Sequence, residues 1–259
     1  MRFIKCVEVE LCKIRRSKIV WILVIPVLMM WGVSVMNADV NFRDYILAGG
    51  ISPEDNFFIQ SVLGFTWFMF PSSMVVITVM MTQTELKNNG ILKMMALPVS
   101  RVKLCSAKFL VFVCLAGIQV VMLFAGAFPS ILLASRMQGY DFGIDPLVIC
   151  RMGVWVFLVS VPMMAVYWMI SIVIRNPVFS IGFGLATVIP AVLMINTKVW
   201  FAYPMCYPMM LATMEMGRLS GSLDTQAVPM SSWIGISCGV TVLALGISFF
   251  AFGRTAKEN

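Results

Sequence analysis

The chain has 259 residues, of which 60% are hydrophobic and 12% are charged, whereas soluble domains average about 45–50% apolar and about 25% charged residues. A soluble domain of this length needs more charged surface than these residues can supply, so that class is excluded and a membrane protein is predicted. The net charge of +7 is typical of basic cytoplasmic loops on a membrane protein and does not indicate nucleic-acid binding.

Missing residue types exclude several kinds of chemistry. The sequence has no histidine, so histidine acid–base catalysis and histidine-ligated metal or haem are absent. Its seven cysteines are scattered without a C-x-x-C pair and are interpreted as small buried side chains, not as metal ligands or a redox motif. No H-E-x-x-H motif or intramembrane acid pair occurs either. We therefore predict that the chain is not an enzyme and has no catalytic residue, metal or cofactor of its own.

The N-terminal segment, residues 1–18, is basic and amphipathic. Apolar residues recur in it at spacings of three and four, and charged residues take the other faces. The apolar set is Ile4, Val7, Leu11 and Ile14, and the charged set is Lys5, Glu8, Lys13 and Arg16. This pattern predicts an interfacial helix in the inner headgroup layer, with a frayed tail as the alternative. The apolar run that follows is long and lacks a small-x-small cleavage site, so we predict a retained membrane helix and not a signal peptide.

Six stretches without charge are each long enough to cross a hydrocarbon core of about 30 Å. They cover residues 19–37, 57–84, 109–135, 152–174, 178–197 and 231–253. The fourth and fifth are separated only by Arg175-Asn176-Pro177, a turn whose proline cannot continue the preceding helix. We predict an all-α membrane protein in which residues 1–259 form one transmembrane domain of six helices.

The basic residues predict the orientation of these helices by the positive-inside rule. With both termini inside, the cytoplasmic segments carry 14 basic and 4 acidic residues, and the outer segments carry 5 basic and 8 acidic residues. The inside is then +10 and the outside −3. This split predicts an N-in, C-in protein that crosses the cell membrane several times.

The absence of charge within the spans argues against several transport mechanisms. Ion-coupled carriers and pumps place ionisable side chains at membrane depth, and channels usually carry a polar or charged ring at their constriction. Sodium coupling through broken helices stays open as an alternative, because five spans contain a proline. These prolines are Pro26, Pro71, Pro129, Pro162 and Pro190. Since no G-x-x-x-x-G-K-[ST] loop is present to bind a nucleotide, the remaining interpretations are a carrier that another subunit drives and a membrane scaffold.

The predicted cytoplasmic loop of residues 85–108 is longer than a connector needs to be. Apolar residues recur at helical spacing between Leu92 and Ala96, and Pro98 ends the run. These features predict a short helix across the inner face of the membrane, with a solvated basic loop as the alternative.

The same loop carries motifs of a known family. It contains Glu85-x-Lys87-Asn88, then Leu97-Pro98-Val99-Ser100-Arg101, and it ends at Lys108. In this pattern the chain resembles ABC type-2 exporter permeases, and the resemblance covers nearly the whole chain, including the amphipathic start and the turn between spans four and five. Within that superfamily it is most similar to the lantibiotic-immunity permeases, which have a similar length and lack a large extracellular domain.

The resemblance implies a permease pair, identical or made of two related subunits, bound to two copies of a separate ATP-binding subunit that holds ATP and Mg. The loop between spans two and three would then be the coupling helix. Its residues implied in that contact are Glu85, Lys87, Asn88, Leu92, Leu97, Pro98 and Arg101. Membrane lipid and an amphipathic peptide cargo are the other implied partners, and no nucleic acid is expected.

Residues 198–230 form the predicted outer loop before the last span. Aromatic residues and prolines cluster in it, namely Trp200, Tyr203, Pro204, Tyr207 and Pro208. In type-2 permeases the corresponding segment is a re-entrant helical pair, so the resemblance implies a re-entrant hairpin over Trp200 to Met216, available to cargo. The alternative is an aromatic belt at the outer headgroup level.

The residues and the resemblance together predict the transmembrane permease subunit of an ATP-driven ABC exporter in the bacterial plasma membrane. The expected cargo is a lantibiotic-like antimicrobial peptide, whose removal from the membrane gives immunity or antibiotic resistance. The 23 methionines offer flexible apolar contacts to such a peptide. The alternatives are export of another amphipathic cargo (a lipid, a drug or a polysaccharide), an ion-coupled carrier, and a membrane scaffold that transports nothing.

Overall fold

The computed structural model describes residues 3–15, 17–40, 51–86, 100–219 and 230–254, and the regular elements in these ranges are all helical. The α-helices are α1 (Phe3–Arg15), α2 (Ile19–Met36), α3 (Pro53–Gly64), α4 (Phe70–Leu86), α5 (Arg101–Gln138), α6 (Pro146–Val173), α7 (Pro177–Ala186), α8 (Val188–Met194), α9 (Tyr207–Leu219) and α10 (Met230–Arg254). A π-helical turn (Phe65–Met69) joins α3 to α4, and two 3-10 turns (Trp200–Ala202 and Pro204–Cys206) precede α9. The predicted all-α class is confirmed for this part of the chain.

Six helical stretches within the described ranges are long and apolar enough to cross a membrane. They are Ile19–Met36, Pro53–Thr84, Val102–Gln138, Pro146–Val173, Pro177–Met194 and Trp233–Phe252. Their number agrees with the six predicted spans, and the protein is therefore a multi-pass membrane protein.

Local sequence explains where several of these helices begin and end. Ser52, Asp145 and Asn176 each accept a hydrogen bond from a backbone N–H two or three residues later, at 3.2, 2.9 and 3.0 Å. A proline follows each of these caps near the first helical position, where its missing N–H costs nothing. At the other end of α5, Gly139 closes the helix with φ of 60°, a left-handed conformation that glycine adopts without strain.

The helix that contains the third predicted span extends beyond that span. Helix α5 begins at Arg101, eight residues before the expected start at residue 109, and runs for 38 residues. At about 1.5 Å per residue it extends for about 57 Å, nearly twice the thickness of a hydrocarbon core. Residues 101–108, which the sequence assigned to the loop, are thus continuous with the membrane helix.

The fifth span is broken near its middle. Helix α7 ends at Ala186 and α8 begins at Val188. Pro190, in the first turn of α8, has no N–H to donate to the carbonyl oxygen of Ala186, so the helical ladder is interrupted there.

The centre of the bundle is α6, which packs against α4, α5, α9 and α10. Its Tyr167 and Trp168 side chains are 1% and 2% exposed. The ring of Phe112 in α5 stacks on Trp168 with the ring centroids 6.2 Å apart. Because lipid tails are as apolar as the side chains, close packing of this kind holds membrane helices together.

Glycines bring two further pairs of spans into close contact. A Cβ atom at Gly184 of α7 would lie 2.6 Å from Cγ1 of Val75 in α4, and one at Gly126 of α5 would lie 2.9 Å from Cδ1 of Trp31 in α2. At this short range Trp31 donates its indole N–H to the carbonyl oxygen of Leu123 at 2.9 Å. Both helix pairs therefore depend on the absence of a side chain at these glycines.

The two ends of the bundle are built from different elements. At one end Cys6 of α1 and Leu104 of α5 pack with Phe252 of α10, and Gln83 of α4 donates a hydrogen bond to the carbonyl oxygen of Arg175 at 3.1 Å. We call this the α1 end. At the opposite, distal end lies α9, which packs against α3 and α6.

Candidate functional site

The predicted coupling loop joins two helices that meet at the α1 end. Glu85 lies in the last turn of α4 and Arg101 is the first residue of α5, although the side chains of both fall outside the described part of the chain. The other predicted coupling residues lie outside the described residues altogether, as does the predicted short helix. These are Lys87, Asn88, Leu92, Leu97 and Pro98. The role assigned to the seven residues stays a prediction.

A buried ion cluster lies between α1 and the start of α5 and was not predicted. Glu10 of α1 is bonded to Lys108 of α5, with Nζ and Oε2 2.8 Å apart, and to Lys13 at 2.7 Å. The side chains of Lys108 and Glu10 are only 4% and 10% exposed. We call Glu10, Lys13 and Lys108 the Glu10 cluster. It fastens α1 to the first turns of α5.

The charge state of Glu10 follows from its surroundings. Burial would raise the pKa of this carboxyl, but the ammonium groups of Lys108 and Lys13 outweigh burial and lower the pKa below its ordinary value. Glu10 is therefore ionised at neutral pH, and both lysines have a charged acceptor.

The predicted apolar face of α1 is divided by this arrangement. Ile14 is 9% exposed and packs on the protein, whereas Ile4 and Leu11 are 75% and 46% exposed. Glu10 lies in the middle of the face of α1 that packs on the protein. The early start of α5 places Lys108 beside it. The exposed apolar residues stay available to lipid, as the predicted interfacial helix requires.

A small crevice lies next to the Glu10 cluster and is also lined by the end of α4. Its polar lining comes from Glu10 and Lys13 of α1, Ser17 before α2, and Thr84 near the end of α4. Thr84 directly precedes Glu85. The cluster thus lies at the base of both helices that flank the predicted coupling loop.

At the distal end, the predicted aromatic segment packs inward. Trp200 and Tyr207 are 1% and 0% exposed, and their rings meet edge to face with centroids 6.2 Å apart. Trp233 of α10 completes the contact, at 5.1 Å from Trp200 and 5.6 Å from Tyr207. We call these three residues the distal aromatic cluster. Because Trp200 and Tyr207 are covered by protein, a lipid-facing aromatic belt does not describe them.

Hydrogen bonds hold the rest of this segment in place. The hydroxyl of Tyr203 donates to the carbonyl oxygen of Thr187, at the break between α7 and α8, with a distance of 2.6 Å. The hydroxyl of Tyr207 donates to the carbonyl oxygen of Phe201. The prolines interrupt no ladder, because Pro204 opens a 3-10 turn and Pro208 lies in the first turn of α9.

Helix α9 is also attached to α6 by charge. Glu215 of α9 pairs with Arg218 at 2.6 Å and with Arg151 of α6 at 3.4 Å. The arginine side chains are about half exposed, and exposed ion pairs contribute only about 0–1 kcal/mol. This contact therefore orients α9 more than it stabilises the fold.

Within the described ranges, no three His, Cys, Asp or Glu side chains come close enough to hold a metal ion. The ordered polar groups instead connect helices to one another, at the Glu10 cluster and around α9. Such an arrangement suits the transmission of movement between the two ends.

Comparison with known proteins identifies the family. The family model described as ABC-2 family transporter protein matches residues 6–191, which is more than two thirds of the 259 residues. No curated protein and no solved structure matches the chain. The matched range includes the Glu10 cluster, the first four spans and most of the fifth. The chain belongs to the ABC-2 family of transporter proteins.

Proposed function

We propose that this permease subunit works in an ATP-driven exporter of the bacterial plasma membrane, with ATP and Mg bound by a separate ATP-binding subunit. The observation that carries the proposal is family membership combined with the arrangement at the α1 end. There α5, the helix that follows the predicted coupling loop, is bonded to α1 through Lys108 and Glu10, and the end of α4 lines a crevice next to that bond. A permease pair, identical or of two related subunits, would bind two copies of the ATP-binding subunit.

Helix α5 supplies a physical route for coupling. It begins at Arg101, within the last eight residues of the predicted coupling loop, and continues without interruption to Gln138 at the distal end. If the ATP-binding subunit binds one arrangement of the loop better than another, ATP shifts the population of the two arrangements. A displacement of the loop is then carried by α5 across the membrane, and α1 moves with it through the Glu10–Lys108 bond.

The orientation can be tested at the two ends of this one helix. In a background without native cysteines, Arg136→Cys at the distal end should react with a membrane-impermeant maleimide in whole cells. Lys103→Cys, at the α1 end, should react only after permeabilisation, because both termini are proposed to be cytoplasmic. Both native side chains are exposed, so the side of the membrane on which each residue lies decides whether the maleimide reaches it. The opposite labelling pattern would overturn the N-in, C-in topology.

The coupling loop is tested by reversing its charges. In the complex with the ATP-binding subunit, the triple variant Glu85→Lys, Lys87→Glu and Arg101→Glu should lower cargo-stimulated ATPase activity by roughly tenfold, the effect of losing about 1.4 kcal/mol of polar contact. Arg136→Glu at the distal end is the matched control and should leave the activity unchanged. If the triple variant keeps full activity and still copurifies with the partner, the loop is not the coupling element.

The cargo we propose is a lantibiotic-like amphipathic peptide taken from the membrane, with immunity as the result. The resemblance of the coupling loop to lantibiotic-immunity permeases supports it, as do the many methionines. The proposed contact region is the re-entrant segment from Trp200 to Met216. A lipid, a drug or a polysaccharide is the alternative cargo, and a scaffold without transport is the alternative role.

This cargo is tested in cells that produce the permease with its genomic partners. Such cells should survive higher concentrations of a lantibiotic, and a Walker-lysine variant of the ATP-binding subunit should abolish the protection. Collapse of the proton or sodium gradient at constant ATP should leave transport unchanged, since the six predicted spans carry no charged side chain. Protection that survives the inactive ATPase would instead indicate sequestration by a scaffold, and no protection against any cationic peptide would exclude this cargo class.

A further inference from the structure

We propose that Gln119 is a positioning residue: its side-chain amide closes the hydrogen-bond gap that Pro26 opens in α2 and ties α2, α4 and α5 together at that level. The role in transport rests on the proposed function, whereas the contact itself does not. We call Gln119, Ser73 and the carbonyl groups of Ile22 and Leu23 the polar clasp.

The gap arises from the covalent structure of proline. Pro26 lies inside α2 and has no N–H, so the carbonyl oxygen of Ile22, four residues earlier, receives no helical hydrogen bond. The proline ring also pushes against that turn and opens the ladder around it. In a membrane no water is available to satisfy the freed carbonyl, so another side chain must do so.

Gln119 of α5 is placed to supply that donor. Its side chain is 0% exposed, in a span whose neighbouring residues are apolar. Its Nε2 atom lies 3.4 Å from the carbonyl oxygen of Leu23 and 3.5 Å from that of Ile22. These are long hydrogen bonds, consistent with one N–H shared between two adjacent carbonyl oxygens.

The second N–H of the amide reaches another irregular span. Nε2 of Gln119 lies 3.1 Å from Oγ of Ser73 in α4. Ser73 gives its own proton to the carbonyl oxygen of Met69 at 2.7 Å, and its oxygen is therefore free to accept. Met69 is the last residue of the π-helical turn, and Pro71 lies two residues later, in the first turn of α4. The clasp thus joins two spans at their proline-disturbed turns.

The side-chain amide of Gln119 contacts its partners through its two N–H groups. Oε1 of Gln119 is buried and accepts no hydrogen bond from any residue that the structure describes. Turning the amide over would point this oxygen at the carbonyl oxygens of Ile22 and Leu23, which cannot donate a hydrogen bond, and this is unfavourable. A buried unsatisfied oxygen costs about 1–3 kcal/mol, so any net stabilisation by this side chain comes from the contacts of its N–H groups.

A hinge follows from this geometry. A helix that contains a proline bends more easily at that turn, and a clasp at Pro26 would limit how far α2 can bend relative to α4 and α5. Since α2 follows α1 directly and α5 carries Lys108, the bend would set how movement at the α1 end reaches the rest of the bundle.

The test is a double-mutant cycle in the full-length protein, reconstituted in nanodiscs, with the thermal unfolding midpoint as the readout. Gln119→Met keeps the length of the side chain and removes the amide. In Pro26→Ala, the new N–H can bond the carbonyl oxygen of Ile22 in the ordinary way. We expect Gln119→Met to lower the midpoint by about 2–4 °C, and by less than half as much when residue 26 is alanine.

Pro162→Ala in α6 is the matched control, because Gln119 contacts neither Pro162 nor the carbonyl that it frees, and the full loss should persist in that background. An equal loss with proline and with alanine at position 26 would overturn the proposal. If Gln119→Met alone cannot be purified, recovery of protein in the double variant with Pro26→Ala is the expected result, and failure to recover it would count against the clasp.

A functional readout separates positioning from simple stabilisation. In the complex with the ATP-binding subunit, Gln119→Met should lower the ratio of cargo-stimulated to basal ATPase activity, and Pro26→Ala should restore it. A ratio that Gln119→Met leaves unchanged would reduce the clasp to a structural contact and overturn its positioning role. If the midpoints behave as expected but no ATP-binding subunit supports activity, the proposed function fails and the contact stands.

Discussion

Lys108→Met is expected to destabilise the protein by about 3 kcal/mol, at the lower end of the range for removing one partner of a buried ion pair. The reason is that Glu10, with only 10% of its side chain exposed, loses the 2.8 Å bond to Lys108. Lys13 stays in contact at 2.7 Å, which limits the loss. The measurement is the thermal or denaturant midpoint of the purified protein, compared with the unmodified chain.

Two variants make this result specific. Lys103→Met removes an exposed lysine from the same helix and should change the stability by no more than about 0.5 kcal/mol. Glu10→Gln combined with Lys108→Met removes both charges and should recover most of the loss, because a neutral pair leaves no buried charge unpaired. If Lys108→Met behaves like Lys103→Met, the Glu10 cluster does not fasten α1 to α5.

Gly184→Ala is expected to cost about 1–3 kcal/mol through overpacking. The added methyl group would lie 2.6 and 2.9 Å from the two Cγ atoms of Val75, so α7 must move away from α4. Alanine is a better helix former than glycine by about 1 kcal/mol, and the clash has to exceed that gain. The measurement is again the unfolding midpoint, together with the yield of folded protein.

The chain provides a control and a rescue for this variant. Gly182, two residues away in α7, has no atom within 4 Å of the position of an added Cβ, so Gly182→Ala should be neutral or slightly stabilising. Val75→Ala removes both Cγ atoms and leaves the nearest Val75 atom, Cβ, at 3.4 Å. The double variant Val75→Ala with Gly184→Ala should therefore be more stable than Gly184→Ala alone, and a lack of rescue would contradict the close contact.

The membrane helices could be predicted because lipid imposes a strict condition on sequence. A span must satisfy its backbone internally and carry about 20 apolar residues, and only six stretches of this chain do so. Helices α3 and α6 begin at Pro53 and Pro146, before the predicted span starts at residues 57 and 152, although each cap and the proline after it are neighbours in sequence. The start of α5 at Arg101 was missed because charge, rather than helix propensity, was used to mark the edge of the span.

The Glu10 cluster was missed for a different reason. The positive-inside rule treats Lys108 as a solvated charge, and it says nothing about which acid a lysine contacts. A signal was nevertheless present: Glu10 lies four residues from both Cys6 and Ile14, so helical spacing places it on the same face as two residues that pack on the protein. Its pairing with Lys108 also required α5 to begin early.

The distal aromatic cluster was predicted only in part. The segment from Trp200 to Pro208 was recognised by its composition, but Trp233 lies 25 residues beyond Pro208, and no local pattern links it to that segment. The inward packing of Trp200 and Tyr207 likewise depends on how α9 and α10 approach α6. Such long-range contacts are outside what periodicity and charge can indicate.

The length of α5 has a consequence for which changes its sequence tolerates. Lys108 and Gln119 are 11 residues apart, about three helical turns, so they lie on one face of α5 about 17 Å apart along its axis. Lys108 contacts α1 and Gln119 contacts α2, so one face of α5 holds two successive N-terminal helices in place. The residues between them that face outward, such as Leu110 and Ile118 at 42% and 49% exposed, can be exchanged for other apolar side chains. Their number cannot change, because adding or removing one residue would turn the two contacts about 100° out of register.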